Sequence, residues 1–273
     1  MDGNLSGGDT AFAGSIPEVY ERFMGPMIFE PYAGHLAARV DDLKPRRVLE
    51  VAAGTGILTR ALARRLARDV ALVATDLNEA MLKEAARIGT PRPVEWRQAD
   101  ALHLPFPDAS FDVVACQFGV MFFPDKVQAF SQAWRVLRPG GHFVFNTWDR
   151  LERNAFASGV TRALEDLFPD APPRFMARVP HGYHDPDRIA EDLRHAGFTK
   201  TPHLALRQEV SHADSPRMPA VAFCQGTPLR HELEPRGVAL VDITDVVTEA
   251  LAREFGNGSI RGEMNAFVVH VEK

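Results

Sequence analysis

Short apolar runs and helical stripes alternate through the first half of the chain. Val48-Leu49-Glu50-Val51 reads as a short buried strand, and a small-residue turn, Ala52-Ala53-Gly54-Thr55-Gly56, follows at once. Leu58, Leu62 and Leu66 then fall on one face, which predicts a helix over Ile57 to Ala67. The alternation continues. Val70 to Thr75 is a second strand, and Met81, Leu82, Ala85 and Ala86 mark the next helix. Val94 to Gln98 and Phe111 to Cys116 are further strands, and Asp125 to Leu137 is a helix. Pro139-Gly140-Gly141 should open a fifth strand. Strands alternating with helices predict an α/β fold built on a doubly wound, mostly parallel sheet.

The flanks read differently. Residues 1–14 are expected to be disordered. Ile16, Val19, Tyr20, Phe23, Met24 and Met27 share helical spacing, and Pro26 should kink or end that helix. A second helix is predicted from Pro31 to Val40, with proline in its first turn. Beyond Trp148 the pattern predicts a helix over Glu152 to Leu167 and a long loop from Phe168 to Pro186. A helix over Pro186 to Ala196 is stopped by Gly197, and Phe198 to Val210 alternates as a strand. Two or three helices fill 214–256, including Val238 to Phe255, and Asn265 to Val271 is the last strand. The expected organisation is a tail and helical cap over 1–44 and a main domain over 45–273. A helical insertion at about 211–258 should cover a substrate pocket.

Composition narrows the classes. The 273 residues are 45% hydrophobic, enough for a sizeable core, and the net charge is -5. A mildly acidic chain lacks the broad attraction for phosphate backbones that nucleic-acid binders carry. Cys116 and Cys224 stand in no metal or redox spacing and read as free thiols. The expectations are a cytoplasmic protein with no membrane span, no metal and a small-molecule partner.

The turn after Val51 is the candidate cradle for a nucleotide-like ligand, because glycines allow close approach and the following helix offers free N–H groups. A dinucleotide fingerprint would need a third glycine where Thr59 stands, and no P-loop lysine follows Gly56. Glu50, inside the strand, suits a cationic amine better than a diphosphate. Asp76 ends the second strand, twenty residues after Gly56, where a carboxylate can hold ribose hydroxyls. Asp76 could instead cap the next helix, unless Asn78 takes that place.

At these residues the chain resembles the class I S-adenosylmethionine-dependent methyltransferases, whose first motif, E/D-x-G-x-G-x-G, stands here as Glu50-x-Ala52-x-Gly54-x-Gly56. Ala52 replaces the first glycine. Leu104-Pro105-Phe106-Pro107-Asp108-Ala109-Ser110-Phe111-Asp112 and Trp134-Arg135-Val136-Leu137-Arg138-Pro139-Gly140-Gly141 are similar to the type 11 group, which includes quinone-pathway C-methyltransferases. These matches span about residues 46–148. The resemblance implies a Rossmann-like, seven-stranded sheet whose last strand runs antiparallel beside the sixth. It implies S-adenosylmethionine as cofactor, held by Glu50, Ala52, Gly54, Thr55, Gly56 and Asp76. It also implies contacts from Leu77, from Met81 on the adenine, from Asp100 on the adenine amine, and from Ala101 and Gln117. Tyr20, in the N-terminal cap, would approach the cofactor from above.

Relatives that methylate bases or glutamine carry an N/D-P-P-Y type sequence where this chain has Gln117-Phe118-Gly119-Val120. With Met121, Phe122 and Phe123 beside it, the site should take an apolar or flat acceptor. If that acceptor must lose a proton, His181 or His184 is the candidate base. The same histidines also fit a polar surface loop. A non-catalytic S-adenosylmethionine-binding protein and a nicotinamide-dependent oxidoreductase remain as other readings.

Overall fold

The computed structural model describes residues 8–273; residues 1–7, half of the tail expected to be disordered, lie outside the described residues. The strands are β1 (Arg47–Val51), β2 (Ala71–Asp76), β3 (Glu95–Gln98), β4 (Phe111–Gln117), β5 (Leu137–Trp148), β6 (His203–Ala213) and β7 (Ile260–Glu272). They form one sheet in the order β3-β2-β1-β4-β5-β7-β6. All pairs are parallel except those of β7, which runs antiparallel to both β5 and β6. Val48, Leu49, Val113 and Val114 are fully buried, as strands covered on both faces must be. The strand order reverses between β1 and β4, so a crevice opens beyond their carboxyl ends, where ligands bind in such sheets.

Helices α3 (Ile57–Arg65), α4 (Glu79–Ile88) and α5 (Lys126–Val136) make the parallel crossovers, and the Asp125 side chain caps α5 by accepting from the Gln128 N–H at 2.8 Å. Upstream, α1 (Ile16–Val19), a wide-turned segment Tyr20–Phe29 and α2 (Glu30–Asp42) run on without a break. Pro26 therefore neither ends nor interrupts the helix. It sits exposed in turns that bond five residues back, as the Glu30 N–H does to the Gly25 carbonyl, and the wider turn relieves the clash a proline makes in an α-helix. The Tyr32 hydroxyl lies 3.1 Å from the carbonyls of Arg207 and Met264, tying α2 to β6 and β7.

Between β5 and β6 lie α6 (Ala155–Leu167), α7 (Phe175–Arg178) and α8 (Pro186–His195). Between β6 and β7 lie α9 (Arg217–Gln225), α10 (Leu229–Leu233) and α11 (Leu240–Phe255). No helix among the described residues is long and apolar enough to cross a membrane.

Four expectations shift. Strand β5 begins at Leu137, before the Pro-Gly-Gly, and Gly140 at φ +73° belongs to an irregular stretch within it. Phe198 is no strand residue: its N–H donates to the Leu193 carbonyl at 3.1 Å, closing the α8 stop around Gly197. The segment 168–186 is not an open loop, since Phe175, Met176, Val179, His181 and Tyr183 are all buried. Residues 8–14 are not loose either. Asp9 is buried and paired with Arg178, whose Nη2 lies 2.8 Å from Asp9 Oδ1 and 3.0 Å from Glu232 Oε1.

Candidate active site

The turn after β1 is wound by three left-handed residues, Ala52 at φ +55°, Gly54 at φ +56° and Gly56 at φ +84°. The Ala53 N–H donates to the Thr75 carbonyl at 2.9 Å, and the Gly54 N–H donates to Asp76 Oδ2 at 2.8 Å. Asp76 Oδ1 accepts from the Asn78 N–H at 2.8 Å. The carboxylate is thus engaged in holding the turn, with lone pairs left over for a ligand. Burial raises its proton affinity, and the N–H groups of Asn78 and Gly54 oppose that. Asn78 stands at the N-cap of α4 without a side-chain capping bond, so it does not release Asp76 in the way the sequence suggested.

Above the turn lies a pocket with about 340 Å³ of space in which the centre of a water molecule can lie. Glu50, Ala52, Gly54 and Thr55 form its floor. Asp76, Leu77 and Met81 line one side, Asp100 and Ala101 another, and Gln117 and Tyr20 the remainder. Gly56 is absent from this lining. A Cβ at Gly56 would come 2.9 Å from the Trp96 ring and 3.2 Å from Ala85 Cβ, so this glycine serves packing beneath the turn. A Cβ at Gly54 would meet Met81 Cε at 3.5 Å, on the side facing the pocket. Asp100 is half exposed, and its Oδ1 accepts from the Leu102 N–H at 2.9 Å.

Three buried polar atoms in this pocket have no hydrogen-bond partner among the described residues: Glu50 Oε2, Thr55 Oγ1 and Gln117 Oε1. Burial pushes the Glu50 carboxyl up to about 8, with Thr59 and then the Arg60 charge opposing the shift and Asp76 adding to it. Unsatisfied buried groups signal a missing partner. An ammonium group and hydroxyls supply the donors these oxygens lack. The residues present fit the amino-acid and ribose parts of S-adenosylmethionine.

Ala52 carries a side chain where the resembled motif has glycine, and Gly119 makes room for it. A Cβ at Gly119 would lie 2.5 Å from Ala52 Cβ and 2.8 Å from Cys116 Sγ. Gly119→Ala is expected to cost about 1–3 kcal/mol of stability, and roughly 1 kcal/mol less in an Ala52→Gly background. Urea unfolding of the two single variants and the double variant measures this. An unchanged cost would mean that the two positions do not contend for space.

A second, apolar chamber adjoins the pocket, and sequence reasoning missed most of it. Tyr20, Phe29, Phe118, Phe122 and Phe12 line both spaces. Phe118 stacks on Trp148 with ring centres 3.7 Å apart, and Tyr20 stacks on Phe29 at 4.9 Å. Phe118 is held at φ +51°, an uncommon conformation for a bulky residue and a mark of a constrained site. The aromatic content of 118–123 was the available signal; Trp148 and Phe12 gave none.

The two candidate histidines part company here. His181 is buried in the chamber wall, its Nδ1 2.8 Å from the Asp149 carbonyl. Burial lowers its proton affinity to about 4. His184 lies outside the lining, its Nδ1 bonded to the His181 carbonyl at 2.7 Å. No cluster of His, Cys, Asp and Glu among the described residues would hold a metal ion.

A doubly wound sheet with a reversed strand between the fifth and sixth, and an acid-flanked glycine turn at its switch point, defines a Rossmann-like protein that binds a nucleoside cofactor. A family model described as a methyltransferase domain matches residues 49–145. The demethylmenaquinone methyltransferase of Deinococcus radiodurans is 37% identical over 178 residues, covering 59% of this chain and 71% of the relative. The ubiquinone/menaquinone biosynthesis C-methyltransferase of Escherichia coli is 41% identical over 101 residues, 36% of this chain and 40% of the relative. Among solved structures, phosphoethanolamine N-methyltransferase 2 of Haemonchus contortus superposes with a TM-score of 0.60 at 16% identity, over 98% of this chain and 60% of that one. That likeness speaks for the fold alone. The chain belongs to the class I S-adenosylmethionine-dependent methyltransferases, type 11 group. It is a methyltransferase, and its cofactor is S-adenosylmethionine.

Proposed function

We propose that this methyltransferase acts on a small apolar or aromatic molecule, seated in the chamber beside the cofactor pocket. The observation that carries the reading is the shared aromatic wall, Tyr20, Phe29, Phe118 and Phe122, between the two spaces. Flat rings on this wall favour a flat acceptor. The charged side chain lining the chamber is Glu263, which is exposed. The names of the relatives, which are methyltransferases of demethylmenaquinone, support an aromatic ring as acceptor.

S-Adenosylmethionine supplies an electrophilic methyl group on a sulfonium, and its departure leaves a neutral thioether that needs no proton. The protein's task is alignment and exclusion of water. In this proposal Glu50, Thr55 and Gln117 hold the amino-acid part, and Ala52 and Gly54 give the backbone room beside it. Asp76 holds the ribose, Leu77, Met81, Asp100 and Ala101 surround the adenine, and Tyr20 closes the wall. The cap formed by α1 to α2 and the helices of 211–258 exclude water from above.

Two measurements test this. Calorimetry is expected to give clear binding of S-adenosylhomocysteine and none of NAD; tight NAD binding without a response to S-adenosylhomocysteine would overturn the residue roles. Methyl transfer is expected to phenols and quinols and not to aliphatic amines. Turnover of amines alone, or of no acceptor in either class, counts against the aromatic acceptor.

A further inference from the structure

The chamber is small, with about 60 Å³ of space in which a water centre can lie. Three of its polar side chains are committed to the backbone. The Asn154 amide nitrogen donates to the carbonyls of Asp149 and Arg150 at 3.3 and 3.2 Å, and its oxygen accepts from the Asn265 N–H at 3.1 Å. The Ser211 hydroxyl donates to the Met27 carbonyl at 2.9 Å and the Thr227 hydroxyl to the Phe223 carbonyl at 2.7 Å.

Three are not, among the described residues: the exposed Glu263 carboxylate, the Tyr20 hydroxyl on the wall shared with the cofactor pocket, and the buried ring of His181. Its Nδ1 faces a carbonyl oxygen, which can only accept, so Nδ1 carries the ring proton and Nε2 presents a lone pair. No hydrogen bond to Nε2 is found among the described residues, and the ring, 4% exposed, lines the chamber. We propose that His181 Nε2 accepts a hydrogen bond from a hydroxyl group on the aromatic acceptor, and takes that hydroxyl's proton during methyl transfer. The acceptor class is therefore a phenol or hydroquinone, an inference that rests on the chamber being the acceptor site.

The surroundings agree with this role. Desolvation keeps the imidazole neutral, its neighbour His184 adds to that, and the carboxylates of Glu152 and Asp149 only partly offset it. A phenol, with a pKa of about 10, keeps its proton in the ground state against so weak a base. Once the acceptor forms its new bond to the methyl carbon with its own electron pair, it becomes cationic and strongly acidic. The O–H bond then breaks with its pair left on oxygen, the proton passes to His181 Nε2, and the imidazolium returns it to solvent.

The test uses the protein loaded with S-adenosylhomocysteine and two probes, phenol and benzene. Wild type is expected to bind phenol about tenfold more tightly than benzene, the scale of one buried hydrogen bond. His181→Asn keeps a donor toward the Asp149 carbonyl and removes Nε2. It is expected to reduce the preference to about twofold or less, with benzene binding unchanged. A preference that survives in the variant, or is missing in wild type, overturns the role of His181 alone. If neither probe binds wild type, the chamber is not the acceptor site and the proposal falls with that reading. A second measurement needs no variant. Among the ten histidines, the buried ring with its proton on Nδ1 should show an Nε2 nitrogen resonance that moves with phenol and not with benzene. A resonance indifferent to phenol overturns the proposal.

Discussion

Gly54→Val is expected to weaken S-adenosylhomocysteine binding by at least about a hundredfold, roughly 3 kcal/mol, while the sheet remains folded. The backbone at Gly54 sits at φ +56°, and its open side faces the pocket and the Met81 methyl. A valine there places two methyl groups beyond the Cβ in ligand space. It also forces a β-branched residue into the left-handed region, a strain of about 1–2 kcal/mol. Gly56 provides the contrast. It too is left-handed, but a side chain there would strike Trp96 and Ala85 beneath the turn. Gly56→Val should therefore lower the unfolding temperature more than Gly54→Val does. Calorimetry and thermal unfolding of both variants separate the two glycines. Normal ligand binding by Gly54→Val would mean that the turn is not the cradle.

Affinity for S-adenosylhomocysteine should rise with pH, by up to about tenfold per unit between pH 6 and 8. In the ligand-free protein burial holds the Glu50 carboxyl at about 8, so below that pH it carries a proton. A ligand ammonium pairs with the carboxylate form, so binding below pH 8 must expel that proton. The stability of the ligand-free protein runs the opposite way. The folded value lies above the ordinary 4.5, so this group's contribution is full below about pH 4.5 and is lost as pH climbs through 8. The ligand restores it, and the rise in melting temperature on adding ligand should grow from pH 6 to 8. Calorimetry in buffers of different ionisation enthalpy should count about one proton released at pH 6.5. Glu50→Gln should lose the slope. A flat affinity profile in wild type would show that Glu50 is already ionised or does not meet the ligand.

The central strands were legible because they are buried on both faces and read as apolar runs, Val113 to Cys116 without a break and Val48 to Val51 broken only by Glu50. The reversed β7 followed from the resemblance and not from its residues, since an antiparallel strand looks the same in sequence. The pocket above the β1 turn was legible for a local reason: its lining residues cluster at the ends of β1, β2, β3 and β4, each marked by a turn or an acid. Gly56 stands outside that pocket's lining, and a glycine required by Trp96 on another strand looks no different in sequence from one required by a ligand. The apolar chamber was the least legible part. Phe12, Phe29, Phe118, Trp148 and His181 are far apart in the chain and meet only through tertiary packing. Pro26 misled for a related reason, since burial of Met24, Met27, Ile28 and Phe29 carries the helix past it.

Ala52 and Gly119 divide between them a space that holds one methyl group. That arrangement orders the history open to this turn. A lineage with a larger residue at 119 could not take up alanine at 52 without passing through a damaged intermediate. Once Ala52 is present, position 119 is locked as glycine. The substitution at 119 comes first at least cost, and a descendant that recovers a side chain there must relieve both the Ala52 methyl and the Cys116 thiol.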